Sequence, residues 1–119
     1  MVIHPESIPG EPQAGRPLVL KRLLTADDTP SLSATWVRID GRHDRVVNAG
    51  CDRAYYVIAG TGRFQVGDHA PVEEVSAADF VFIPRNTPYE FEGAMTYLVV
   101  NGPAFTPGSD RILPSGLPS

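Results

Sequence analysis

The chain has 119 residues, which suffices for one domain around one hydrophobic core and not for two. Its 42% hydrophobic and 20% charged residues are typical of a folded globular protein and argue against a disordered one. The formal net charge of -4 and the scattered basic residues predict that neither nucleic acid nor a membrane is a partner.

The cysteine content and the N-terminus bear on location. Cys51 is the only cysteine, which excludes an intrachain disulfide and a multi-cysteine zinc site and is typical of a reducing compartment. Residues 1–6 have neither the basic start nor the apolar run of a signal peptide, and no stretch approaches the roughly 20 apolar residues of a membrane span. We therefore predict a cytoplasmic protein.

In chain order, the sequence predicts an extended N-terminal arm over residues 1–17, a barrel over 18–104 and an irregular, Pro/Gly-rich C-terminal tail over 105–119. Within the barrel, β-branched or alternating segments predict strands at residues 18–24, 32–40, 54–59, 63–66, 71–75, 80–83, 89–92 and 95–100. Residues 72–78 are the one candidate helix, and the β-branched Val72 and Val75 weigh against it. Many short strands separated by Gly and Pro turns predict an all-β sandwich or closed barrel.

Glycines, prolines and an asparagine recur at a spacing that resembles the two motifs of the cupin superfamily. The first motif is a glycine, five residues, His-x-His, three or four residues, Glu, six residues and glycine; the matching positions are Gly41, Val47, Ala49, Arg53 and Gly60. The second is a glycine, five residues, Pro-x-Gly, two residues, His, three residues and Asn; the matching positions are Ala78, Pro84, Asn86, Tyr89 and Gly93. The resemblance implies a small single-domain cupin-type (jelly-roll) β-barrel. It also implies a homodimer, often formed in such proteins by exchange of an N-terminal strand.

The metal-binding positions of that family are replaced. In cupins the histidines and the glutamate of the motifs converge on one metal ion, and these four places hold Val47, Ala49, Arg53 and Tyr89. Valine and alanine have no donor atom, arginine repels a cation, and one phenolate does not make a site. We predict no metal and no other cofactor. A metalloenzyme with rearranged ligands would have to use His43, Asp44, Cys51 or His69, whose spacing matches no recognised site.

Strand alternation predicts which side chains face the interior. If Arg53 faces inward, so do Tyr55 and Val57 on the same strand. On the next motif strand, Tyr89 and Phe91 face inward while Glu90 and Glu92 face outward. For residues 32–40 two choices stay open: Ser33, Thr35, Val37 and Ile39 inside, or Ala34, Trp36 and Arg38 inside.

These positions predict an apolar and aromatic pocket with one cation. Arg53 and Tyr89 are the predicted catalytic residues: Arg53 would bind a carboxylate, enolate or carbonyl oxygen, and would lower the pKa of Tyr89 so that the phenol serves as acid or base. The predicted substrate-binding residues are Trp36, Val47, Ala49, Tyr55, Val57 and Phe91. Against this stands a purely structural interpretation, in which Arg53 pairs with Asp44 or Asp52 and the rings are packed core. His43 and Asp44 are interpreted as solvated surface, and His69 as exposed.

Two functions of different classes follow. The first is a metal-independent enzyme that binds an organic small molecule and isomerises, cyclises or dehydrates it in a bacterial biosynthetic pathway, as the resemblance implies for small stand-alone cupins. The second is a non-catalytic module that binds or senses a small molecule with the same groups.

Overall fold

A computed structural model describes residues 1–117 of the chain, and nearly all of its regular structure is strand. The eight strands are β1 (Glu11–Pro12), β2 (Leu18–Leu24), β3 (Ser33–Val47), β4 (Asp52–Val66), β5 (Val72–Ser76), β6 (Phe80–Ile83), β7 (Tyr89–Gly102) and β8 (Arg111–Leu113). One 3-10 turn, Pro5–Ser7, precedes them, and no helix among the described residues is long enough and apolar enough to cross a membrane. The all-β prediction is confirmed, and residues 72–76 form a strand rather than a helix.

All eight strands belong to one antiparallel sheet that forms the barrel. The order is β1-β2-β3-β7-β4-β5, with β6 paired to β4 and β8 paired to β3. Strand β7 is central, because Leu98 pairs with Trp36 of β3 on one side and with Tyr56 of β4 on the other. The short strand of the arm, β1, pairs with β2 of the same chain through Glu11 and Leu20.

Three strands are longer than the sequence predicts. Gly41, Gly60 and Gly93 were expected to end strands, and this is wrong: β3, β4 and β7 continue through them over 15, 15 and 14 residues. Gly60 has a φ of 87°, and a Cβ there would lie 2.2 Å from the carbonyl oxygen of Ala94. Glycine thus lets the strands bend and approach one another without interrupting the hydrogen-bonded ladder. Asn86 stands where the second motif has a glycine, and its backbone is left-handed, with φ 64°, a conformation that asparagine adopts more readily than most residues.

The core is a stack of aromatic rings inside the barrel, formed by Tyr55, Phe64, Tyr89, Phe91 and Tyr97. The open choice on β3 is resolved in favour of Ser33, Val37 and Ile39, which are buried with the core, whereas Arg38 is exposed. Trp36 therefore lies on the outer face, where the Nζ of Lys21 sits 4.7 Å from its ring centroid. Trp36 was predicted to line the pocket, and this is wrong: residues 33, 35, 37 and 39 occupy the inner side of the strand, so the side chain of residue 36 points outward.

The C-terminal tail covers part of the outer surface. Glu90 was predicted to face outward, away from the barrel interior. Its side chain is nevertheless fully buried, because residues 115–117 of the tail lie over it. Its carboxylate accepts hydrogen bonds from the Oγ of Ser115 at 2.7 Å, the backbone N–H of Leu117 at 2.8 Å and the backbone N–H of Gly116. The tail also adds β8 to the edge of β3, although its sequence shows no strand pattern. Glu90 is thus buried by a contact with the distant C-terminal tail, which the local alternation of the strand cannot predict.

Candidate active site

A cavity of about 130 Å³ lies inside the barrel, beneath the N-terminal arm and the C-terminal tail. Its lining residues come from the arm, from the strands and from the tail: Arg16; Leu18, Leu20, Thr35, Val37, His43, Arg53, Tyr55, Tyr97, Val99 and Asn101; and Phe105 and Asp110. An apolar ring system bounds one side and a set of polar groups the other. Concave sites with few convergent polar groups are the usual places for small-molecule binding.

A second, larger groove of about 820 Å³ lies on the outer surface where the strands bend. Its walls include Gly41, Gly62 and Gly93 and the ion pair between Arg63 and Glu92. Arg63 and Glu92 are partly exposed, so the groove places no desolvated reactive group against a ligand. We therefore take the inner cavity as the candidate active site.

Arg53 sits at the inner end of the cavity with all its donors engaged. Its Nη1 donates to the Oη of Tyr89 at 2.6 Å, its Nη2 to the Oδ1 of Asp110 at 3.0 Å, and its Nε to the Oδ1 of Asn101. Nη1 also lies 3.4 Å from the Oδ2 of Asp110, and Nη2 lies 3.9 Å from the Sγ of Cys51. The five N–H groups of a guanidinium thus have five acceptors within the protein.

The acid that pairs with Arg53 is Asp110, not the predicted Asp44 or Asp52. Asp44 is exposed, and Asp52 pairs instead with Arg85, whose Nη2 lies 3.4 Å from its Oδ2. Asp110 stands far along the chain, just before β8. It reaches Arg53 because β8 pairs with β3 and so brings the tail to the barrel.

Two phenols form a pair in front of Arg53. The Oη atoms of Tyr55 and Tyr89 are 2.5 Å apart, and the rings meet edge to face with centroids 5.8 Å apart. Because Arg53 donates to Tyr89, the hydroxyl proton of Tyr89 is free to point at Tyr55, and the proton of Tyr55 is then free to point into the cavity. Tyr55 lines the cavity, and Tyr89, buried at 1% exposure, lies behind it.

The pKa values of the phenols differ from the sequence prediction. Burial raises the pKa of Tyr89 above its usual value, and the opposing effect of the Arg53 charge is too small to reverse this. Burial, followed by the neighbouring Tyr89, raises the pKa of Tyr55 further. The predicted lowered pKa of Tyr89 is therefore wrong, because loss of water outweighs the nearby cation. Both phenols are neutral hydrogen-bond donors at neutral pH.

His43 is the main residue that sequence reasoning missed. It was interpreted as solvated surface, and this is wrong: its ring is 9% exposed and stacks on Phe91 with centroids 4.6 Å apart. Burial, together with the charges of Arg16 and Arg53, lowers its pKa to about 4, against the hydrogen bond with Asp44 that raises it. Strand alternation could have predicted this position. If the strand continues through Gly41, every second residue faces inward, so His43 lies on the same side as Val37 and Ile39.

The tautomer of His43 follows from its one backbone contact. Its Nδ1 lies 2.7 Å from the carbonyl oxygen of Asp44, which can only accept, so the neutral ring carries its proton on Nδ1. The Nε2 atom then has a free lone pair. Since both His43 and Tyr55 line the cavity, a proton acceptor and a donor hydroxyl face the same small space.

Arg16 brings a second cation to the cavity from the arm. Its turn is set by the hydrogen bond from its backbone N–H to the carbonyl oxygen of Gln13 at 3.1 Å, with Gly15 at φ 71°. The side chain is exposed, and among residues 1–117 it forms no ion pair within 4.0 Å. Unlike Arg53, it is available to a ligand. Nothing in the composition of the arm distinguishes it from an ordinary surface arginine.

The remaining predicted contacts lie around the cavity rather than on it. Val57 and Phe91 are fully buried in the core behind the lining, Val47 is buried where β3 meets β8, and Ala49 is exposed in the turn after β3. The pairing of β3 with β7 shifts register between His43 and Val46, and both of these residues are buried. The strict alternation used for the prediction therefore does not hold at the end of β3. Of the predicted residues, Arg53 and Tyr55 line the cavity.

The rearranged metal site finds no support in the geometry. Across residues 1–117, no group of three or more His, Cys, Asp or Glu side chains is arranged to hold an ion. His69 is exposed as predicted, in a left-handed turn after Gly67, and Cys51 is buried beside Arg53.

No family model and no curated protein matches the sequence. Among solved structures, the chain is similar to uridine-bound Pac13 of Streptomyces, described as a nucleoside dehydratase, at 21% identity and a TM-score of 0.79, over 95% of this chain and 89% of that one. It is also similar to the polyketide cyclase RemF of Streptomyces resistomycificus, at 19% identity and a TM-score of 0.79, over 98% of this chain and 87% of that one. Oxalate decarboxylase OxdC of Bacillus subtilis matches at 14% identity and a TM-score of 0.78, over 92% of this chain and 31% of that one. The fold is therefore cupin-like.

Proposed function

We propose that this protein is a metal-independent, cupin-like biosynthetic enzyme that removes water from, or cyclises, a small hydroxyl-bearing organic substrate. One observation carries the proposal: a neutral imidazole with a free Nε2 and a neutral phenol with a free proton line the same small cavity. A base and an acid on one substrate are what an elimination of water requires. Two of the structural neighbours, a dehydratase and a cyclase, catalyse reactions of this kind.

The first step is removal of a proton from carbon. Nε2 of His43 takes a proton from a C–H next to a substrate carbonyl, and the electron pair moves to the carbonyl oxygen to form an enolate. The cation of Arg16 stabilises that oxygen, because it has no competing ion pair among the described residues. The negative charge of the enolate beside His43 also makes the imidazole bind the proton more tightly than it does when the cavity is empty.

The second step is departure of the hydroxyl group. The enolate electrons re-form the carbonyl, a C=C bond forms, and the C–O bond on the next carbon breaks. The leaving oxygen takes the proton of Tyr55 and departs as water. Tyr89 then supplies a proton to Tyr55, while Arg53 stabilises the resulting phenolate charge through its Nη1 contact with Tyr89. Exchange with water returns the proton held by His43 to the phenols, which restores the starting state.

Arg53 and Tyr89 thus differ from the roles predicted for them. Since its five donors are engaged within the protein, Arg53 acts through Tyr89 as a positioning residue rather than by binding substrate oxygen. Tyr55 takes the contact with substrate that was predicted for Tyr89.

The test is conversion by the wild-type protein and by His43→Gln. We expect the wild-type protein, incubated with a panel of small β-hydroxy carbonyl compounds, to yield a product that has lost one water by mass spectrometry. His43→Gln should lower the rate by about 10²–10⁴-fold while substrate still binds. The matched control is His69→Gln, an exposed histidine outside the cavity, which should retain wild-type activity. Binding of the panel without conversion of any member would refute the enzyme and leave the non-catalytic binding module.

A further inference from the structure

We propose that Asp110 determines which substrates enter the inner end of the cavity: it neutralises Arg53 and offers a carboxylate oxygen to a hydroxyl or N–H group of an uncharged substrate. Carboxylates and phosphates are thereby rejected from that end. This inference rests on the proposed active site and names the charge class of its substrate.

The cation of Arg53 is masked before any ligand arrives. Asp110 forms the ion pair with it, and Tyr89 and Asn101 take further donors. A substrate carboxylate could bind Arg53 only by displacing Asp110 or another of these partners. The displaced group would then be left buried without its hydrogen bond, which is costly.

Asp110 is held in place but not saturated. Its Oδ1 accepts from the Nη2 of Arg53 at 3.0 Å and from the Nδ2 of Asn48 at 2.9 Å. Among residues 1–117, its Oδ2 has one contact, the long one of 3.4 Å with the Nη1 of Arg53. The side chain lines the cavity and is 25% exposed. A carboxylate has about four lone-pair sites, so Oδ2 can accept a hydrogen bond from a ligand donor.

Asn48 fixes the tail residue to the barrel. Its Oδ1 accepts from the backbone N–H groups of Gly50 at 2.8 Å and Cys51 at 3.2 Å, and its Nδ2 donates to Ser109 and Asp110. The amide is therefore fully oriented by the turn between β3 and β4. Asp110 consequently presents the same oxygen to the cavity whether or not a ligand is bound, which is what a specificity determinant requires.

The experiment compares two single-ring ligands of the same shape and opposite character. Benzamide is neutral and carries N–H donors, whereas benzoate is an anion with acceptors only. Cavities of about 150 Å³ bind benzene, so one ring suits the volume found here. Affinities for both ligands are measured from the shifts of the His43 ring resonances by NMR. Arg16 also lines the cavity and would bind benzoate by itself, so every protein compared carries Arg16→Gln. The four proteins are Arg16→Gln alone and Arg16→Gln combined with Asp110→Asn, Asp110→Glu or Asp68→Asn.

We expect the Arg16→Gln protein to bind benzamide at least about tenfold more tightly than benzoate. Adding Asp110→Asn should raise the affinity for benzoate about tenfold or more, because Arg53 loses its paired charge. Adding Asp110→Glu should leave the preference for benzamide unchanged. Asp68→Asn is the matched control, since it removes the acid paired with the other buried arginine, Arg45, at a site away from the cavity; its preference should be unchanged.

Three results would overturn the inference: a preference unchanged by Asp110→Asn, equal affinity of the Arg16→Gln protein for both ligands, or no binding of either ligand to any of the four proteins. The readout is independent of turnover. Absence of dehydration with the benzamide preference intact would reject the proposed function alone, and dehydration without the preference would reject this inference alone.

Discussion

At the residue scale, the buried imidazole of His43 makes the protein sensitive to acid. Its pKa is lowered from 6.5 to about 4, so between these values the unfolded chain takes up a proton that the folded protein does not. The resulting loss of stability is absent above pH 6.5, grows as the pH falls and is complete near pH 4. For a shift of this size it amounts to about 3 kcal/mol.

The sensitivity is measured by denaturant unfolding of the wild-type protein and of His43→Gln between pH 7 and pH 4. We expect the variant to lose about 3 kcal/mol less on acidification than the wild-type protein does, because glutamine does not titrate. Equal losses in both proteins would show that the folded protein protonates His43 as readily as the unfolded chain does, so that burial does not lower its pKa.

The pair of phenols provides a second prediction at the same scale. Tyr55→Phe removes the hydroxyl that faces the cavity, and Tyr89→Phe removes the acceptor of the Nη1 of Arg53. We expect Tyr55→Phe to lower kcat by about 10²-fold or more at nearly unchanged stability. Tyr89→Phe should also destabilise the fold by about 1–3 kcal/mol, since a buried charged donor loses its partner.

The measurements are steady-state kinetics and equilibrium unfolding, with Tyr56→Phe on the outer face as the control for removal of a phenol. A Tyr55→Phe protein with wild-type kcat would place the acid elsewhere.

At the element scale, the bends in β4 and β7 depend on glycine. A Cβ at position 60 would lie 2.2 Å from the carbonyl oxygen of Ala94, and the backbone there has a φ of 87°. We expect Gly60→Ala to lower the free energy of unfolding by at least about 2 kcal/mol, through strain and steric overlap. Gly15→Ala is the matched control: it also has a positive φ, 71°, but no atom within 4 Å of its Cβ, so the loss should be about 1 kcal/mol. Thermal or denaturant unfolding measures the loss of stability in each variant. Similar losses in Gly60→Ala and Gly15→Ala would contradict a steric overlap at position 60.

These elements also show what the sequence could predict. β2 and β6 have the predicted bounds, because an alternating or apolar run between turn residues is a local signal. The predicted breaks at Gly41, Gly60 and Gly93 failed, because a glycine that ends a strand and a glycine that bends one look alike in sequence. That error also concealed His43, whose inward direction depends on continuing the strand through Gly41. The roles of Arg16 and Asp110 depend on where the arm and tail pack, which is a long-range property.

At the scale of the whole molecule, the homodimer stays a prediction, as does the cytoplasmic location. The outer face of β4 and β6 exposes Tyr56, Ile58, Phe80 and Phe82, and Phe80 pairs with Tyr56 across the two strands. Among the described strands, β6 pairs with β4 alone, so its other edge has no strand beside it. An apolar face beside an unpaired edge favours self-association about a two-fold axis.

The prediction is tested by sedimentation of the wild-type protein and of Phe82→Glu. We expect a dimer for the wild-type protein and a monomer for the variant, because a charge at the centre of an apolar interface is costly. Ile112→Glu, which places the same charge at an exposed apolar residue of β8, should remain dimeric. A monomeric wild-type protein at micromolar concentration would contradict the prediction.

The proposed function depends on removal of a proton from carbon by neutral His43, and exchange of substrate hydrogen with solvent tests this step most directly. The measurement is incorporation of deuterium from D₂O at the carbon next to the carbonyl of a converted substrate. We expect Tyr55→Phe to exchange this hydrogen, because its enolate forms but cannot lose water and so returns to the substrate, and we expect His43→Gln not to exchange it. Exchange at the Tyr55→Phe rate in His43→Gln, or no exchange in Tyr55→Phe, would contradict the assignment of His43 as the base.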